Sequence, residues 1–192
     1  MRFKGIEKVL EGHFLTAYHA VYETEAGTEK VYEMVSRDKE IDGQTRLLGK
    51  ETDAAILFVT DENGERLLLL REFRMAVGRE IINMPAGLTE PGEDIRDAAR
   101  RELFEETGLE LTRIDTVLPA AYSAIGFSNE KNTLILGTAA GSIRPSDSPE
   151  EEIRADWYTR GEVLDLILGG AAFESRTQLF AWMWATGSGF GA

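Results

Sequence analysis

The chain has 192 residues, no cysteine and a formal charge of −13, from 34 acids against 21 bases. That length holds one sizeable core and an appendage; the missing thiols exclude disulfides, thiolate zinc sites and cysteine nucleophiles; and the charge argues against coating a duplex or another polyanion, which requires neutralised phosphates. No apolar run reaches the ~20 residues of a membrane span and MRFKGIEKVLEGHFL lacks the features of a secretory signal, so a cytoplasmic protein is expected.

In chain order, TAYHAVYET and KVYEMVSR alternate apolar and polar residues on either side of a turn at EAGTE, which predicts a hairpin. His13 and His19 lie in this region, and a lone imidazole in a strand-like stretch is more often structural than catalytic, so neither is assigned a role. TDAAILFVT has the apolar density of a strand buried on both faces; DENG turns the chain, and ERLLLLREFR completes a second hairpin. REIINMPAGLTEPGE is a strand entering a loop rich in proline and glycine. DIRDAARRELFEETG repeats Ile95, Ala99 and Leu103 at helical spacing, with Asp94 placed to cap the start and Gly108 to stop it, and predicts a helix of about three turns. Beyond it, IDTVLPAAYSA, NTLILGTAAG and RADWYTR predict strands, SIRPSDSPEEEI an acidic loop, and GEVLDLILGG and TQLFAWMWATG helices. The pattern is that of an α/β chain with a mixed sheet, divided into a small β subdomain over residues 1–48 and a larger domain over 49–192.

The first of these helices ends in a concentration of acid. Arg96 and Arg100 reach acidic neighbours and Arg101 stands four residues before Glu105, so part of the charge is ordinary helix pairing. Glu102, Glu106 and Glu110, spaced by four, are left stacking like charge, at a cost of roughly a few tenths of a kcal/mol per pair unless a cation intervenes. At about 100° per residue, Glu105 and Glu106 fall about −60° and +40° from Glu102, an arc of roughly 100° beside the apolar stripe. Hard divalent cations such as Mg²⁺ take oxygen ligands of this kind together with substrate phosphates, whereas an acidic helix face is by default a solvated one.

Gly87, five residues, Glu93, seven residues and then RELFEETGL fill every fixed position of the Nudix box: Gly87, Glu93, Arg101, Glu102, Glu105, Glu106 and Gly108. With LLLLREFR and INMPAG upstream, SNE downstream and an acidic loop near residue 150, the chain resembles the ADP-ribose and nucleoside-diphosphate-sugar pyrophosphatase branch of that family. The resemblance implies an α/β/α sandwich with a mixed sheet, preceded by a small N-terminal β subdomain that builds a homodimer. It implies hydrolysis of a nucleoside-diphosphate sugar, ADP-ribose first, by metal-activated water, with Mg²⁺ or alternatively Mn²⁺ as cofactor and no nucleic-acid or membrane partner. Carried over by position, Glu102 and Glu106 are the metal ligands, Glu105 joins or supports them, and the Ala86 carbonyl supplies a further oxygen. Glu93 and Arg101 brace the box together with Gly87 and Gly108. Glu105 and Glu106 belong to the catalytic set, and Glu150, Glu151 and Glu152 stand where the branch often carries its base, Glu151 being taken for that role. Arg74, Arg71 and Glu130 match substrate contacts. Two positions depart from the ADP-ribose pattern: Ile125 stands where a proline is usual and Asn83 where a glutamate is usual. They leave the leaving-group half of the substrate open, with a GDP-mannose or UDP-sugar pyrophosphatase and a dinucleoside polyphosphate hydrolase as alternatives; a non-catalytic nucleotide-sugar-binding regulator is a separate alternative that loss of box carboxylates would support, and none is lost.

Overall fold

A computed structural model describes residues 1–188; residues 189–192, at the end of the larger expected domain, lie outside them. The chain forms two compact units, Met1–Asp53 with Pro119–Thr133, and Ala54–Leu118 with Leu134–Ala192. Among the described residues no helix is long and apolar enough to cross a membrane.

In the first unit β1 (Arg2–Glu11), β2 (Thr16–Glu23) and β3 (Glu29–Ser36) form an antiparallel sheet in that order, followed by the short α1 (Gln44–Leu47). Period two is plain in β2, where Thr16, Tyr18 and Ala20 are buried, and Tyr18, Ala20, Met34 and Ile41 make the unit's core. The alternating runs predicted β2 and β3, but β1 was not anticipated. Its sequence RFKGIEKVLE is largely exposed and charged, and it is held by its ladder to β2 and by Arg2 and Lys4 pairing with Glu23.

The second unit contains β4 (Ala54–Thr60), β5 (Arg66–Arg74), β6 (Arg79–Asn83), β7 (Ala86–Leu88), α2 (Ile95–Thr107) and β8 (Glu110–Val117). Residues 119–133 return to the first unit, where β9 (Ala121–Tyr122) pairs with the start of β10 (Lys131–Ala140). The second unit then continues with the rest of β10, β11 (Ile153–Thr159), α3 (Arg160–Leu168) and α4 (Ser175–Thr186). Its sheet runs β11-β5-β4-β10-β8, with β6 on β5 and β7 on β4. IDTVLPAAYSA is not one strand: it holds the end of β8, a break over residues 118–120 and the two-residue β9.

The two sheet faces are read directly from residue parity. Ala55, Leu57, Val59 and Leu68 join Ala99 and Leu103 of α2 in one core, whereas Ile56, Phe58, Leu67 and Leu69 join Val163 of α3 and Ala181, Trp184 and Ala185 of α4 in another. The result is the α/β/α sandwich with an N-terminal β sheet that the chain resembled. Each fully buried leucine in these layers contributes roughly 1.5–3 kcal/mol through the water it sheds. The aromatic stripe of α4 is split: Trp184 is buried, Phe180 packs partly against the core with its ring 6.1 Å from that of Phe58, and Trp182 is 39% exposed.

Candidate active site

The site is organised on α2. Asp94 caps the helix by accepting from the Arg96 N–H at 2.8 Å, and Gly108 closes it in the left-handed conformation at φ 76°. Just upstream, Gly87 lies so close to the helix that an added Cβ would fall 1.9 Å from the carboxyl carbon of Glu102, so only glycine leaves that carboxylate its place.

Arg101 ties the loop to the helix. Its guanidinium donates to both carboxylate oxygens of Glu93 at 2.9 Å, to the Leu88 carbonyl at 3.0 Å, to Glu102 at 2.8 Å and to Glu105 at 3.2 Å. Glu93 also accepts from the Glu90 N–H, and Arg101 together with that bond lowers its carboxyl to about 2. Glu93 and Arg101 thus link the loop to the helix, while Gly87 makes room for Glu102 and Gly108 ends α2.

Glu106 is buried and accepts from the Ala86 N–H at 3.1 Å. Burial, then the charges of Glu102, Glu72 and Glu151, raises its carboxyl well above the ordinary range, against the bond from Ala86. Burial also raises Glu102; Arg101 opposes this, and Glu105 and Glu151 add to it. Glu105 is different. Its side chain is 48% exposed and turned to Arg101, so it is more open than Glu102 and the buried Glu106. Glu110 is not on the helix at all: α2 ends at Thr107 and Glu110 opens β8, which removes it from the expected stack of like charges.

Among the described residues no three acidic or histidine side chains stand ready as a closed ligand set for a metal. The donor chemistry nevertheless fits a hard divalent cation, which takes one or two carboxylates and keeps several waters. Glu106 is buried and Glu102 largely covered, the charge of Glu102 adds to the raised proton affinity of Glu106, and among the described residues no basic side chain hydrogen-bonds to Glu106. An uncompensated buried carboxylate of that kind is a place for a cation.

Glu72 is a member of this site that the sequence reading passed over. It is buried in β5, accepts from Asn83 Nδ2 at 3.0 Å, pairs with Arg74 and acts electrostatically on Glu106. The signal was there in the parity of LLLLREFR: Glu72 is in phase with Leu68, whose face lies under α2. Asn83 is held in turn by the Met84 N–H at 3.0 Å and the Thr177 hydroxyl at 3.1 Å, so the residue that departs from the family pattern is the one that fixes Glu72.

Arg74 is beside the buried carboxylates through Glu72, but Arg71, on the opposite face, donates to Glu80 at 3.2 Å and to the Tyr158 hydroxyl at 3.3 Å. Of the three loop glutamates, Glu151 is the one felt by both Glu102 and Glu106. Glu151 and Glu152 line a cleft of about 450 Å³ with Phe73, Glu80, Ser146 and Arg154, and Glu150 is exposed. Glu130 belongs to the first unit, where it pairs with Arg37 at 2.9 Å and accepts from the Ser123 hydroxyl at 3.0 Å; Ile125, in the same unit, is 74% exposed.

Residues 50–181 match the model of the NUDIX domain. The ADP-ribose pyrophosphatase of Bacillus subtilis is 40% identical over 125 residues, 64% of this chain and 66% of that protein. That of Saccharomyces cerevisiae is 32% identical over 133 residues, 69% of this chain and 56% of that protein. The chain therefore spans just under two thirds of the one relative and just over half of the other. A crystal structure described as an ADP compounds hydrolase superposes with a TM-score of 0.73 over 98% of this chain and 97% of that one, at 21% identity, a likeness of fold.

Proposed function

The chain belongs to the Nudix family, and on that premise we propose that it hydrolyses the diphosphate bond of a nucleoside-diphosphate sugar with Mg²⁺, or Mn²⁺ in its place, ADP-ribose yielding AMP and ribose 5-phosphate. The observation that carries the reading is the partly buried Glu102 beside the buried Glu106, with Gly87 leaving room for the first carboxylate and, among the described residues, no basic side chain hydrogen-bonded to the second. The names of the two relatives favour ADP-ribose as the first substrate to try.

Glu102 and Glu106 would hold the cation, with Glu105 and the Ala86 carbonyl in support. When bound, the cation supplies Lewis acidity to the diphosphate oxygens and makes water a stronger acid. Glu151 takes the proton of the attacking water, whose oxygen joins phosphorus as the bridging P–O bond breaks and the leaving phosphate departs with the bond's electrons. Arg74 directs its fork to a phosphate and Glu72 sets where Arg74 stands; Arg71 and Glu130 are proposed as substrate contacts on the resemblance alone. No protein nucleophile is needed. Residues 1–48 form a dimer-building subdomain and 49–192 the catalytic domain, the protein acting as a homodimer.

The test is turnover of ADP-ribose, GDP-mannose, a UDP-sugar and a dinucleoside polyphosphate with Mg²⁺ in ¹⁸O-labelled water. AMP and ribose 5-phosphate, one of them labelled, are expected from ADP-ribose. Glu102→Gln and Glu106→Gln are expected to lower kcat/KM by on the order of 10²–10³-fold, the loss of several kcal/mol of charge stabilisation. Unchanged turnover in both variants would sink the metal-site reading, and tight binding without cleavage would make the protein a regulator.

A further inference from the structure

The last carbonyls of a helix have no partner within it and must find one elsewhere. At the C-terminal end of α2 the partners come from one short stretch of the acidic loop. The Thr107 carbonyl accepts from the Arg144 N–H at 2.9 Å, the Glu105 carbonyl from the Asp147 N–H at 3.0 Å, and the Phe104 carbonyl from Arg144 Nη2 at 3.1 Å as well as from Gly108. The Arg144 guanidinium lies 4.7 Å over the Phe104 ring and forks onto both oxygens of Asp147. Its aliphatic stem covers Gly108 so closely that an added Cβ there would sit 2.3 Å from Arg144 Cγ. A cation at a helix C-terminus is also favoured by the helix dipole.

The other end of the same loop is fixed to the sheet. The Phe73 N–H donates to the Glu152 carbonyl at 3.1 Å, and Ile153 stands opposite Glu72 in the β11–β5 ladder. Between Asp147, whose N–H bonds to the helix, and Glu152, whose carbonyl bonds to β5, lie four residues, the last of them Glu151. A span that short, tied at both ends, restricts the path of its backbone, and with it where Glu151 leaves the chain.

We infer that Arg144 is a positioning residue, whose clamp on the last turn of α2 fixes where Glu151 stands relative to Glu102 and Glu106. The inference rests on the reading of Glu151 as the base. It adds to the box a residue outside it, and it explains why Gly108 serves two purposes, the left-handed turn and the passage of the arginine stem.

The experiment compares Arg144→Ala, Arg144→Lys, Glu151→Gln and the double variant Arg144→Ala/Glu151→Gln in the intact protein. The readouts are kcat and KM on whichever nucleotide sugar the panel above identifies, Mn²⁺ affinity, and hydrogen exchange of the Arg144 and Asp147 amides. Arg144→Ala is expected to lower kcat by about tenfold or more, the scale of a displaced catalytic group, with KM and Mn²⁺ affinity within about twofold of wild type and both amides exchanging faster. Lysine keeps the charge but not the fork, so Arg144→Lys recovers only part of the loss. In the Glu151→Gln background the same alanine substitution leaves kcat within about twofold, because the two act as one unit. Equal losses in both backgrounds, or Mn²⁺ affinity falling in step with kcat, overturn the inference, since Arg144 would then act on the helix itself. Full activity in Glu151→Gln removes both the base and the clamp, whereas a loss in Glu151→Gln with none in Arg144→Ala keeps the base and removes only the clamp. Should Arg144→Ala not fold, Asp147→Asn, which weakens the fork and keeps the backbone bonds, carries the same expectations at a smaller fold-change.

Discussion

Glu106 opposes the fold that contains it. A buried carboxylate with a single backbone N–H as hydrogen-bond donor loses more hydration than it regains. Its raised proton affinity has a definite sign: between the ordinary glutamate range and the raised value the folded state binds more proton than the unfolded, so metal-free stability falls as pH rises through that window. Glu106→Gln removes the charge, keeps the shape and can still accept from Ala86. In chelator at neutral pH its Tm is therefore expected to lie above that of wild type by roughly 2–4 °C for each ~1 kcal/mol regained. Adding Mn²⁺ is expected to raise the wild-type Tm and leave the variant's where it was, because only the wild type has the site to link binding to folding. A variant that melts below wild type in chelator would show that the carboxylate stabilises the fold by itself. The identities of Glu102 and Glu106 were legible from helix spacing; parity put Glu72 on the face of β5 that α2 covers, but its meeting with Glu106 depends on packing α2 on the sheet.

At the scale of the element, α2 shows why some things are legible. Its cap, its stop and its brace all lie within the span from Gly87 to Gly108, where spacing along a helix and geometry in space are nearly the same thing. The brace makes its own prediction. Glu93 is lowered to about 2, so its contribution to stability is fully present above the ordinary value near 4.5 and is lost as pH falls from there towards about 2. The gap in urea-unfolding stability between wild type and Glu93→Gln should therefore be constant from neutral pH down to about 5.5, narrow below that and close near about pH 2. A gap that persists in strong acid would locate the effect in packing and not in the ion pair with Arg101. By contrast, β1 escaped prediction because a charged, exposed edge strand carries almost no burial pattern, and Glu110 was misplaced because counting by four ran past the helix stop at Gly108.

For the whole molecule the open matter is association. The first unit leaves Val9, Leu10, Phe14 and Val31 more than half exposed, which is the kind of apolar surface a subunit contact covers. Sedimentation equilibrium is expected to give twice the 21.3 kDa chain mass at micromolar concentration. With −13 charges on each copy, the dimer should tighten as salt screens their repulsion. A single-chain mass at every concentration and salt would remove the dimer proposal. The amino-acid sequence by itself determined which segments are strands and helices with buried faces, and that the α2 glutamates, braced by Glu93 and Arg101, form a box. Those are consequences of period and local spacing, which survive in one dimension. Only the tertiary structure decided that Glu72, fixed by Asn83, faces Glu106, that Arg71 is engaged with Glu80 and Tyr158, and that Arg144 ties the Glu151 loop to the end of α2. Each of those contacts joins different elements, and no pattern along the chain encodes which faces will meet until the sheet and its helices have packed.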